Sequence, residues 1–155
     1  MSLERRQQAA ESFWRSEHDA AEQAEVIALI AQRLKFRTKS VVVLPIAKKT
    51  QYLVSLPSIS EMLAARLLVA YHMAFQRPLM AAFLDALGVP HNDGLIAEDT
   101  AVSHDADKIR AAAQSIAASF PAEDVALYLS TLYWQNTETW SILPELPQAA
   151  APIRI

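Results

Sequence analysis

Residues 86–100, ALGVPHNDGLIAEDT, contain both glycines of a 155-residue chain. Tight β-hairpins lean on glycine and asparagine at positive φ, so a chain this poor in glycine has little means of turning many strands. The remaining sequence is rich in alanine, leucine, glutamine and arginine, which favour helix. The stretch therefore predicts an all-α fold in which it connects two helices. Gly88 ends the preceding helix in a left-handed conformation, and Asp105 caps or charges the first turn of the next.

The chain's eight prolines, one of them Pro90 inside this loop, punctuate the helices, since proline suits a first turn and breaks an interior. Pro78 opens a helix with Leu79, Phe83 and Leu87 on one stripe. Before it, Ser58 and Glu61 have the spacing of a capping box and predict a helix over 59–76, the two forming a helical hairpin. After the loop a second pair is predicted: 105–119 with Ile109, Ala112, Ile116 and Phe120 inward, then 121–135 with Val125, Tyr128, Leu129 and Leu132 inward. The two pairs share a layout, but their residues do not align and tetratricopeptide spacing is absent.

The N-terminal third reads as a helix over 3–34, continuous or broken near His18 and Asp19, with Ala10, Trp14, Ala21, Ala24, Ala28 and Ala31 at helical spacing. Its VIALIA segment is apolar all round and is expected to be buried. Over 41–56 three consecutive valines favour a strand while Pro45 favours a helix start; a helix over 45–56 is expected, with a two-stranded hairpin as the alternative. The whole is expected to be a single-domain bundle of about five to seven helices, arranged largely as antiparallel helical hairpins. That domain is assigned to 1–142, followed by a Pro/Ala-rich C-terminal tail, 143–155, extended or mobile.

Charge is unevenly spread. No acid lies between Glu25 and Glu61, where Arg33, Lys35, Arg37, Lys39, Lys48 and Lys49 give +6 and leave −9 on the rest of a chain of net charge −3. Residues 78–107 hold six acids and no lysine or arginine. The absence of cysteine removes disulfides, thiolate zinc sites and cysteine nucleophiles, and the charged N-terminus lacks the apolar run of an export signal; both point to the cytoplasm. The most apolar window, 62–75, carries Arg66 and His72 and falls short of the roughly 18 to 20 residues of a spanning helix. No membrane partner is expected.

Specific chemistries fail in turn. An EF-hand reading of Asp93-Gly94 would put Val89, His91 and Thr100 at ligand positions. A helix-turn-helix reading of FLDALGVP would put Gly94 where an apolar residue is needed and set Asp93, Glu98 and Asp99 against phosphates. His91, Asp93, His104 and Asp105 lack the helical i, i+3 or i+4 spacing of a metal site and read as surface loop residues. Ser103 and His104 beside Asp105 are sequence neighbours, not a triad, and no nucleophile elbow or phosphate loop occurs. No catalytic residue, metal or cofactor is therefore assigned.

Three surfaces remain. His72 shares a helix face with Leu68 and Phe75 and reads as a core histidine held by one hydrogen bond, or as part of an interhelical pocket lined by aromatics. Tyr133, Trp134 and Trp140 combine apolar bodies with polar tips, as at contact hot spots, although core packing claims at least two of them. The six cations of 33–49 read as a solvated face, with only Phe36 and Tyr52 available to stack on bases. The leading expectation is a non-enzymatic helical protein–protein interaction or regulatory module whose partner is another protein or a second copy, as a homodimer matching the basic segment to the acidic one. A small-ligand-binding protein or enzyme with an interhelical pocket is the alternative, and a nucleic-acid accessory protein using 33–49 the weakest.

Overall fold

The computed structural model describes residues 1–97, 100–102 and 105–149. Among these the fold is all-α, with eight helices and one two-stranded hairpin. Backbone contacts divide the chain into two compact units, Met1–Tyr71 and a second from His72 onward.

The first unit begins with α1 (Leu3–Arg15) and α2 (Ala20–Leu34), so the long predicted helix is broken where His18 and Asp19 suggested. The break is capped from across it: the Gln23 side-chain amide donates to the carbonyls of Phe13 (2.7 Å) and Ser16 (2.8 Å) at the end of α1. Interruption resets the helical phase, so the alanine stripe does not continue. Ala10 and Trp14 are buried on α1, but Ala21, Ala24 and Ala28 face solvent, and α2 instead buries Val26, Ile30 and Ala31. Nor is VIALIA enclosed throughout, since Leu29 is exposed.

The valine-rich segment is helical. α3 (Thr38–Val42) is a short turn anchored by Val41, and α4 (Ile46–Val54) follows Pro45. α4 packs on α1, and with α2 and the start of α5 (Glu61–Phe75) they enclose Phe13, Ile30, Val41, Leu53, Leu67 and Tyr71. The cap of α5 is not Ser58 but Ser60, whose Oγ accepts from the Leu63 amide at 3.2 Å, so the helix starts later than the capping-box spacing implied.

In the second unit, α6 (Arg77–Leu87) pairs with α7 (Ala106–Ser119) rather than with α5, and α8 (Ala122–Gln135) lies against α7 and two 3-10 turns, Leu143–Glu145 and Pro147–Ala149. The stripes read from sequence are inward: Leu79, Phe83 and Leu87 on α6, Ile109, Ala112 and Ile116 on α7, and Val125, Tyr128, Leu129 and Leu132 on α8 are buried, with Phe120 partly so. Asp105 caps α7 by accepting from the Asp107 and Lys108 amides. The boundary drawn at 142 falls inside this core. Leu143, in the first 3-10 turn, and Leu146, between the two, are buried in it, and both turns pack on α8, so 143–149 is packed rather than extended. The remaining tail, 150–155, lies outside the described residues.

The opening loop is more ordered than a connector. His91–Asn92 (β1) pairs antiparallel with Leu95–Ile96 (β2) around a two-residue turn in which Asp93 (φ 49°) and Gly94 (φ 83°) are both left-handed, the type I′ geometry that Asp-Gly supplies. Scarcity of glycine argued against many hairpins, and it did not exclude this one. Glu98, Asp99, Ser103 and His104, and what was read from them, lie outside the described residues. Among the described residues no single helix is long and apolar enough to cross a membrane.

Both glycines are conformationally required, but unequally. A methyl at Gly88 (φ 70°) meets nothing within 4 Å, whereas at Gly94 it would lie 2.6 Å from Met80 Cβ. Gly88→Ala is expected to cost about 1 kcal/mol of unfolding free energy from backbone strain alone. Gly94→Ala should cost about 2 kcal/mol or more, since α6 must also shift. Urea denaturation of the two variants checks the ranking, and equal losses would contradict it.

Candidate functional site: an aromatic cleft on the outer end of helix α8

The three aromatic residues singled out in sequence divide at the end of α8. Trp140 is 4% exposed and belongs to the core, where its ring centroid lies 5.9 Å from Phe83. Tyr133 is half-buried and Trp134 is 37% exposed. These two line a cleft of about 200 Å³ with Ser130, Leu129, Leu143, Pro144 and Ala149. Its walls are positioned from both sides: α8 places Ser130, Tyr133 and Trp134 at i, i+3 and i+4, and the 3-10 turn at Leu143–Glu145 brings Pro144 opposite them. An aromatic wall, a rigid proline and the hydroxyl-bearing residues Ser130 and Tyr133 form a surface for an apolar group carrying a hydrogen-bonding atom.

His72 is elsewhere. It is 2% exposed and lies inside the second unit, with Nε2 3.1 Å from Thr131 Oγ1. The Thr131 hydroxyl donates to the Leu127 carbonyl at 2.7 Å, so its oxygen accepts from His72 and the imidazole proton is on Nε2. His72, Tyr128, Phe83 and Trp140 form a file of ring contacts, the first two pairs edge to face at 5.5 Å. Burial holds the His72 pKa down to about 4 from its usual 6.5, partly offset by the Leu127 carbonyl, and pushes the Tyr128 hydroxyl up. His72 lines neither the aromatic cleft nor the smaller one of about 40 Å³ in the first unit, formed by residues including Arg6, Ala9, Leu53 and Leu67.

His91 is a clip. The Gly94 amide donates to its Nδ1 at 3.0 Å, which leaves the proton on Nε2 to donate to Asp85 Oδ1, also at 3.0 Å. The turn is thereby tied to α6, and Arg77 ties the same turn from the other side by donating to the Asp93 carbonyl. His91, read from sequence as a surface loop residue, lies in the loop, and both its nitrogens are used in holding the hairpin. Asp93 is spent in the turn itself, through its left-handed backbone. Among the described residues no group of three or more His, Cys, Asp or Glu side chains could hold a metal.

Two of the six basic residues are engaged within the first unit. Arg33 donates to the Ser55 carbonyl at 2.8 Å, and Lys49 lies 5.1 Å from the Trp14 ring centroid. Lys35, Arg37, Lys39 and Lys48 are exposed. What sequence reasoning missed was the proline opposite the aromatic pair, because a tail rich in proline and alanine carries no periodic signal that it folds back. No protein family, no curated protein and no solved structure matches this chain.

The buried histidine gives a pH signature. As pH falls the unfolded chain binds a proton at His72 before the native protein does, so stability is intact above about pH 6.5 and is lost from there down toward pH 4. The loss from this residue should be roughly 3 kcal/mol. His72→Leu should show a correspondingly flatter decline in urea unfolding between pH 7 and 4, and an unchanged slope would refute the linkage. Separately, His91→Ala should cost about 1–2 kcal/mol by freeing the hairpin, against near-zero cost for a surface loop residue, as thermal unfolding will show.

Proposed function

We propose that the protein is a non-enzymatic helical interaction module that docks a protein partner at the cleft between α8 and Pro144, a second copy of the chain being one such partner. The observation that supports this reading is Trp134, held at the rim of a cleft of about 200 Å³ although much of its ring remains in water. Tryptophan and tyrosine lose little conformational freedom on binding and bury large apolar area, which is why they dominate contact energetics. An apolar or proline side chain of a partner, with its backbone near the Ser130 hydroxyl, fits the walls.

Self-association by matching the basic and acidic segments has weaker support. Asp85 is engaged by His91, Asp105 by its capping bonds and Asp107 by Arg110 at 2.9 Å, so each of these carboxylates already has a partner within the second unit. Contact through the aromatic cleft does not depend on them.

A photo-cross-linking side chain placed at Ser130 tests this reading, with exposed Gln114 on α7 as the control position. Adducts are expected at 130 and not at 114, and Trp134→Ser should abolish them; an adduct of twice the chain mass in purified protein identifies the second copy. Equal labelling at both positions, or none at 130, overturns the proposal. If instead a metabolite panel raises the melting temperature and Trp134→Ser removes the shift, the cleft is a small-ligand site.

A further inference from the structure

The first unit carries a second surface, of different chemistry. α2 ends in a Schellman-type turn in which the Phe36 amide reaches back to the Ala31 carbonyl at 2.9 Å and Lys35 takes the left-handed conformation, φ 53°. The chain leaves the helix there, and Phe36 is 48% exposed as a result. It then forms α3, which is anchored through Val41 alone. Val42 is left 52% and Val43 80% exposed. Lys35, Arg37 and Lys39, all exposed, lie within the same nine residues, and among the described residues none of the three meets a carboxylate at ion-pair distance. The sequence from 26 to 60 contains no acid.

We propose that residues 35–43 form a tip that docks the protein on the surface of an anionic lipid bilayer, with Phe36, Val42 and Val43 entering the headgroup boundary and Lys35, Arg37 and Lys39 meeting lipid phosphates and carboxylates. The shape and chemistry select this occupant. A valine four-fifths in solvent projects from the surface instead of lining a groove, so it offers a protein partner little complementary wall, whereas a bilayer interface accepts projecting apolar groups. A nucleic acid would supply the phosphates but would leave two valines with no base to stack on. Cations near an anionic membrane each add to binding, and insertion adds to that. The expectation of no membrane partner came from the lack of a spanning helix, which does not bear on surface docking. This surface lies in the first unit and does not rest on the aromatic cleft.

Cosedimentation of the full chain with vesicles decides it. Vesicles of phosphatidylcholine alone and of phosphatidylcholine with phosphatidylserine, about 3:1, are compared at low and physiological salt. Binding is expected with the anionic vesicles only, weakening with salt. The double variants Val42→Ser with Val43→Ser, and Lys35→Gln with Arg37→Gln, should each reduce it about tenfold or more, with unchanged circular dichroism and melting temperature. Trp134→Ser should leave it intact, which separates failure here from failure of the cleft. The proposal is overturned by absence of binding to anionic vesicles at low salt. It is also overturned if the valine variant binds as well as the parent, which marks simple charge adsorption. Tighter binding to a mixed-sequence oligonucleotide than to the vesicles overturns it as well.

Discussion

The second unit depends on the enclosure of α8. Residues 124–129, 131 and 132 are buried in unbroken succession apart from Ser130; the face carrying Val125, Tyr128, Leu129 and Leu132 packs in the core with α7 and the 3-10 turns, and His72 meets Tyr128 and Thr131. A helix buried all round cannot leave its polar groups to water. Thr131 meets this constraint by donating to its own helix and accepting from His72 at once. Burial of His72 follows from the same arrangement, and so does its resistance to protonation. The one partly open position, Ser130, lies on the turn where Tyr133 and Trp134 emerge. The cleft exists because the cover of α8 stops there.

The first unit solves a different problem, that of joining helices whose stripes do not run in phase. Gln23 satisfies the end of α1 from the first turns of α2, while Arg66 of α5 reaches Glu22 at 3.3 Å and the buried Asp19 at 3.9 Å. Asp19 is therefore held by a cation instead of capping α2, for which no side-chain cap is formed. Polar residues near the break thus fix the angle between two short helices, and their chemistry is consumed in doing so.

Legibility in the sequence followed the strength of the periodic signal. The stripes of α6, α7 and α8 were readable because each is built mainly from large aliphatic or aromatic residues repeated over about two turns or more, so burial and spacing agree. Alanine misled in α2, because a small apolar residue tolerates either face and its spacing carries little energy. The α5 cap moved from Ser58 to Ser60 because both serines offer an oxygen and only the tertiary path chooses between them. The hairpin was written as Asp-Gly but was outweighed by composition, which constrains how many turns a chain makes and not where a single one falls. Of the candidate site, Tyr133 and Trp134 were visible and Pro144 was not, since its position depends on Leu143 and Leu146 returning to a core formed by distant residues.

The same physics bears on the search for chemistry in the opening loop. Histidine, aspartate and glycine in close sequence can mark a working site or a turn, and what decides is whether their donors and acceptors converge on a common point or on the backbone. Here His91 spends one nitrogen on a backbone amide and the other on Asp85, and Arg77 spends two donors on the carbonyls of Met73 and Asp93. All these bonds close the chain on itself. Residues that still face outward without such closure are of another kind: Trp134 and Tyr133 at one cleft, and the valines and cations around α3. Side chains of this type offer area and charge rather than directed proton transfer, and both proposed contacts draw on that distinction.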